Sequence, residues 1–192
     1  MKGTLRITGD PAADELLNTD PLAVLLGMLL DQQVPMEWAF ASPLKLKERM
    51  GGTLDAGALA ALPTGDVEAL FKGPPALHRF PGSMGKRAQQ LCQHLVDHYD
   101  GDAEAVWRGV DDGKELLDRV RALPGFGDEK AKIFVALLAK RFGVQPEGWE
   151  AATLPFSDDL GRSAADVTSP ETLAEVRSFK QRKKADAKAK DG

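Results

Sequence analysis

Leu123-Pro124-Gly125-Phe126-Gly127-Asp128-Glu129-Lys130-Ala131 decides the reading of this chain. Upstream, Leu116, Leu117, Val120 and Leu123 recur at helical spacing; downstream, Ala131, Phe134, Val135 and Leu138 do the same. Pro124 ends the first helix, because the residue before a proline is pushed out of the helical region. Gly125 and Gly127 permit a tight turn and the close approach of another backbone. The second helix starts within a residue or two. Its first N–H groups lack intrahelical partners and carry the positive end of the helix dipole, so phosphate is the anion expected there. The same residues also suit an ordinary αα-hairpin that binds nothing.

Working outward, Asp20-Pro21 is a helix start, with Asp20 as N-cap and Pro21 at the first helical position. Leu22, Leu25, Leu26 and Leu29 form a stripe, with Val24 and Met28 beside it, so this helix is predicted to be buried on most sides. It ends in Asp31-Gln32-Gln33-Val34, and Pro35 opens the next helix, carrying Trp38, Ala39, Phe40 and Leu44. Adjacent glutamines there can hydrogen-bond a base edge or fill a gap in a duplex; they can also cap a helix end in water. Residues 51–79 read as short helices and turns. His78 to Arg87 is a glycine-rich basic loop entering a helix with Ala88, Leu91, Cys92 and Leu95. If this loop meets DNA, Met84 would be an apolar wedge and Lys86 and Arg87 phosphate contacts; Gly82 and Gly85 can equally just make turns. Residues 1–19 read as an N-terminal arm, with Leu5 and Ile7 in weak alternation. Trp38 and Trp107 fall in core patterns, whereas Trp149 lies in a polar loop.

Composition limits the function classes. Apolar residues make up 43% of the 192 residues and charged ones 28%, an ordinary soluble balance. No apolar run approaches the ~20 residues of a membrane span, and no secretion signal is expected. Cys92 stands alone, which excludes an internal disulfide and a four-cysteine metal or iron–sulfur site; a reducing, cytoplasmic (nucleoid-associated) location is the default expectation. His94 and His98 are four apart with no third ligand near them in sequence, so no metal and no cofactor are expected. The net charge of −4 is unevenly spread: residues 177–192 hold seven basic residues against two acidic, a basic tail of +5 on a body of −9. Such a tail adds non-specific phosphate affinity or serves as a solvated terminus.

The hairpin resembles the helix-hairpin-helix DNA-binding motif, L-P-G-apolar-G before an alanine-containing helix. The chain over about residues 20–165 is similar to the HhH-GPD superfamily of base-excision DNA glycosylases. That resemblance implies an all-α fold in two lobes spanning 20–176. Duplex DNA carrying a lesion would lie across the cleft, with the target nucleotide flipped into a pocket, and a monomer would suffice. It places Gln33 where some members carry an intercalating glutamine. Gln32, Met84, Lys86, Arg87, Leu123, Gly125, Phe126, Gly127 and Lys130 complete the expected DNA contacts. The catalytic lysine of strand-cleaving members falls on Glu129 here. Lys130 is one residue on, about 100° round the helix, so a monofunctional glycosylase without lyase activity is expected. The catalytic aspartate of the family maps to Glu147 without gaps, or to Asp158 or Asp159 with a longer loop; none has the family's sequence context. Two other readings stay open: a non-catalytic module that binds distorted DNA, and a helical domain with no nucleic-acid role, which the acidic body favours.

Overall fold

The computed structural model describes residues 1–190. Asp191 and Gly192, and the side chains of Lys184, Lys188 and Lys190 from the basic tail, lie outside the described residues. The chain is all-helical: α1 (Pro11–Thr19), α2 (Pro21–Leu30), α3 (Met36–Arg49), α4 (Ala56–Ala61), α5 (Thr64–Lys72), α6 (Pro81–Tyr99), α7 (Gly113–Arg121), α8 (Asp128–Phe142), α9 (Trp149–Ala152) and α10 (Pro170–Lys190), with single 3-10 turns at Ala103–Val106 and Ala164–Asp166. Among the described residues there is no strand, only one isolated bridge between Asp112 and Glu147. No described helix is long and apolar enough to cross a membrane.

α2 is the centre of the molecule. Every residue from Leu22 to Leu30 is buried, because α1, α3 and α6 all pack on it. Asp20 caps its start, accepting from the N–H groups of Leu22 and Ala23. Gly27 lets α3 approach: a Cβ there would stand 2.8 Å from the Phe40 ring. α4 and α5 pack against α6. α6 turns Met84, Ala88, Leu91, Cys92 and Leu95 inward.

α7 and α8 are the two arms of the hairpin. α8 is fastened at its far end by an ion pair between Lys140 and Asp166, 2.6 Å apart and almost wholly buried. Asp166 also accepts from the N–H groups of Arg162 and Ser163, so the loop after α9 is tied to α8 through one carboxylate.

Residues 1–10 are an extended arm, with Leu5 and Ile7 buried. Asn18 exchanges two hydrogen bonds with Leu5, and Asp14 accepts from the N–H groups of Ile7 and Thr8. Residues 11–19, read from sequence as part of the arm, are instead helix α1. Asp10 accepts from the Ala12 N–H and Pro11 is its first residue, the same device that starts α2. Trp107 is in the core as expected, but Trp38 is 37% exposed, its indole N–H donating to the Ala76 carbonyl.

Candidate nucleic-acid interface

The C-terminus of α2 presents carbonyls with no helical partners, the negative end of the helix dipole. Lys130, from the first turn of α8, fills this position. Its Nζ donates to the carbonyls of Met28 and Leu29, each at 2.9 Å, and approaches that of Asp31 at 3.5 Å. Burial lowers the amine's pKa to about 8; nearby Asp31 opposes the shift, and Lys180 and Arg87 add to it. Lys130 was expected to meet phosphate. Its hydrogen-bonding capacity is committed to α2 instead, and it positions the loop that follows.

That loop carries the glutamine pair. Gln32 is held from both ends: its amide nitrogen donates to the Leu29 carbonyl at 2.9 Å, and its amide oxygen accepts from Arg87 at 2.9 Å. Its own carbonyl faces the buried His78 Nε2 at 2.9 Å. His78 Nδ1 accepts the Phe80 N–H at 3.0 Å. The ring is therefore neutral with its proton on Nε2, and burial lowers its pKa. Gln33 is exposed and sits at φ 58°, in the left-handed region. A non-glycine residue held there is strained. Gln32 is thus a fixed support and Gln33 a presented side chain.

Across from the glutamines lies the start of α6. Arg87 and Lys86 are both exposed, and Arg87 is the residue that donates to Gln32. Met84 is not the wedge. Pro81 starts α6, which places Met84 in its first turn on the core stripe, 2% exposed. The apolar groups that reach solvent on this edge are Trp38 and, more fully, Phe80, 43% exposed with the Arg79 guanidinium 5.3 Å above its ring. His78 lies 6.1 Å from Phe80 and 6.5 Å from Trp38, so three rings line this edge.

The hairpin closes the site. Gly125 has φ +87° and abuts Leu29 of α2. Leu123 and Phe126 are buried, Phe126 edge-on to Phe134 at 5.7 Å, so their side chains hold the turn and do not reach a ligand. Gly127 is the N-cap of α8, with no side-chain cap and open space where a Cβ would stand. The two acidic residues of the first turn are paired: Asp128 with Arg121 and Lys132, Glu129 with Lys183 at 3.2 Å. Hydrogen bonds from Arg121 and then Lys132 hold the Asp128 carboxyl below the usual aspartate range.

The three expected catalytic carboxylates do not join this locus. Lys140, beside Asp158 and Asp159, lies ten residues along α8 from Lys130, a rise of about 15 Å. Asp158 is bound by Arg162 Nε through both oxygens, at 3.0 and 2.8 Å, and Asp159 is 95% exposed. Glu147 is exposed beside the start of α7, its main chain bonded to Asp111 and Gly113. Trp149, an expected loop residue, is buried with its backbone against Gly113. Besides the paired Asp128 and Glu129, the locus holds Asp31, its side chain 8% exposed and 3.3 Å from Lys180. Sequence reading passed over it because its partners lie 99 and 149 residues away.

No family model, curated protein or solved structure matches the chain. Among the described residues no group of three or more histidine, cysteine, aspartate or glutamate side chains is placed to hold a metal ion. The His94 and His98 rings lie 4.4 Å apart without a third ligand.

Proposed function

We propose that this protein works in base-excision DNA repair, as a monofunctional DNA glycosylase of the HhH-GPD kind acting on duplex that carries a damaged or deaminated base. The observation that carries the reading is the convergence, at the end of α2, of the hairpin's α8 start, the anchored Gln32, the presented Gln33 and the basic start of α6. Phosphate meets Gly127 and the free N–H groups beyond it, with Lys86 and Arg87 on the other strand. Gln33 and Phe80 occupy the space left when a nucleotide leaves the stack, and Phe80 rather than Met84 supplies the apolar wedge.

The chemistry needs one carboxylate near the sugar, to stabilise the positive charge that builds as the base departs and to orient water at the anomeric carbon. We assign this role to Asp31, which is nearly buried at the end of α2 beside the glutamine loop, whereas Glu129 is 65% exposed. Glu147, Asp158 and Asp159 are too remote to share the site.

The second reading is a module that recognises distorted duplex and performs no hydrolysis. The remoteness of those three carboxylates favours it. Both readings expect tighter binding to mismatched or lesion-bearing duplex than to normal duplex. They also expect affinity that falls steeply with salt, and loss of the preference for distorted DNA in Gln33→Ala and Phe80→Ala. Fluorescence anisotropy with labelled duplexes measures this. Equal affinity for normal and distorted duplex would remove both readings.

Lyase chemistry is not expected. Glu129 stands at the family's lysine position, and the Lys130 amine is engaged with three carbonyls. Borohydride added to protein with abasic duplex should trap no covalent adduct; a trapped adduct lost in Lys130→Met would contradict this assignment.

A further inference from the structure

We propose that the part of α10 beyond Val176 is an electrostatic latch that closes over the candidate DNA interface, an inference that rests on the function proposed above. The helix is anchored by the buried Val176. Beyond that point Arg177, Lys180 and Lys183 follow at three-residue steps, which puts them on one side of the helix. Each reaches a carboxylate on a different element of the interface. Arg177 pairs with Glu37 in the first turn of α3, Lys180 with Asp31 at the end of α2, and Lys183 with Glu129 in the first turn of α8. The helix therefore crosses in front of the glutamine loop and the α8 N-terminus, the two places where duplex would bind, and covers Asp31.

The three cations are between 41% and 59% exposed. Ion pairs this open to water hold weakly and are screened by salt. A helix segment held this way is released by ionic strength or by a polyanion. Closed, it reduces the competent fraction of the protein and weakens apparent affinity in proportion. Open, it frees the Asp31 carboxylate and uncovers the phosphate site at Gly127.

The test is the full-length triple variant Arg177→Gln, Lys180→Gln, Lys183→Gln. Removing three positive charges from a plain DNA-binding surface weakens duplex binding. Removing them from a latch tightens it. At low salt the variant should bind a mismatched duplex about tenfold more tightly than the wild type. The advantage should vanish as salt opens the wild-type latch. Amide exchange over residues 177–183, measured without DNA, should quicken with salt in the wild type and be fast at all salt concentrations in the variant. Weaker or unchanged duplex binding by the variant would overturn the latch and leave the proposed function standing. If neither protein binds duplex, the proposed function fails, and with it the claim that the latch guards a DNA site. In that case salt-insensitive exchange in the wild type would overturn the closure itself.

Discussion

Gly125→Ala should lower the free energy of unfolding by about 3 kcal/mol. The residue sits at φ +87°, where an L side chain costs roughly 1–2 kcal/mol. The new Cβ would stand 2.4 Å from Leu29 Cδ1, and Leu29 is fully buried in α2. Moving a packed core leucine adds roughly 1–3 kcal/mol. For a chain of this size the sum corresponds to a fall in melting temperature of about 6–12 °C. A calorimetric scan measures it, and a fall under about 2 °C would contradict the packing described here.

Gly127→Ala separates structure from function at the same turn. Its φ is −79°, and nothing lies within 4 Å of a Cβ there. The melting temperature should hold, while duplex affinity drops because the added methyl group keeps phosphate from the α8 N-terminus.

The gap in stability between wild type and Lys130→Met should move in favour of the wild type by about 3 kcal/mol as pH rises from 8 to 10.5. In the folded protein the amine titrates at about 8, against an ordinary 10.5. Between those values the unfolded chain holds a proton that the folded chain has released, so stability rises with pH across the window. Below pH 8 both states are protonated and the cost of burying the charge is fully present. Cys92 works in the opposite direction: burial pushes its thiol from 9.0 up to about 12, so the unfolded chain ionises first and stability falls above pH 9. Both proteins keep Cys92, so its effect cancels in the difference. Denaturant unfolding at pH 7, 8, 9 and 10 follows the gap. A gap that stays constant would mean that Lys130 is not held against the carbonyls of α2.

The helical architecture was legible wherever a local signal marked it. Asp20-Pro21, Pro35 and Leu123-Pro124-Gly125 each fix a helix end by backbone chemistry alone, and the structure has helix ends there. Asp10-Pro11 carries the same signal as Asp20-Pro21, and α1 was legible for that reason, although the alternation of Leu5 and Ile7 drew the reading towards an arm. Met84 was also decidable, since it continues the stripe of Ala88, Leu91 and Leu95. Phe80, one residue before the helix-opening Pro81, had to point elsewhere.

The carboxylates were not legible. After Gly143 the path turns through left-handed glycines at 143, 148 and 161, where no periodicity reports direction. The family resemblance could therefore offer Glu147, Asp158 and Asp159 as catalytic candidates only by counting along the sequence, and the fold carries them to the other end of α8. Asp31 becomes notable only when Lys130 and Lys180 arrive from distant parts of the chain.

The measurement closest to the central claim is a single-turnover assay on a panel of duplexes, each with one modified base, heated in alkali to reveal abasic sites. The wild type should excise at least one base. Glu147→Gln and Asp159→Asn should retain the rate within about twofold, and Asp31→Asn should lose it by a hundredfold or more while keeping its circular dichroism. No excision from any duplex by the wild type would contradict the glycosylase, and excision that survives Asp31→Asn but not Glu147→Gln would contradict the site.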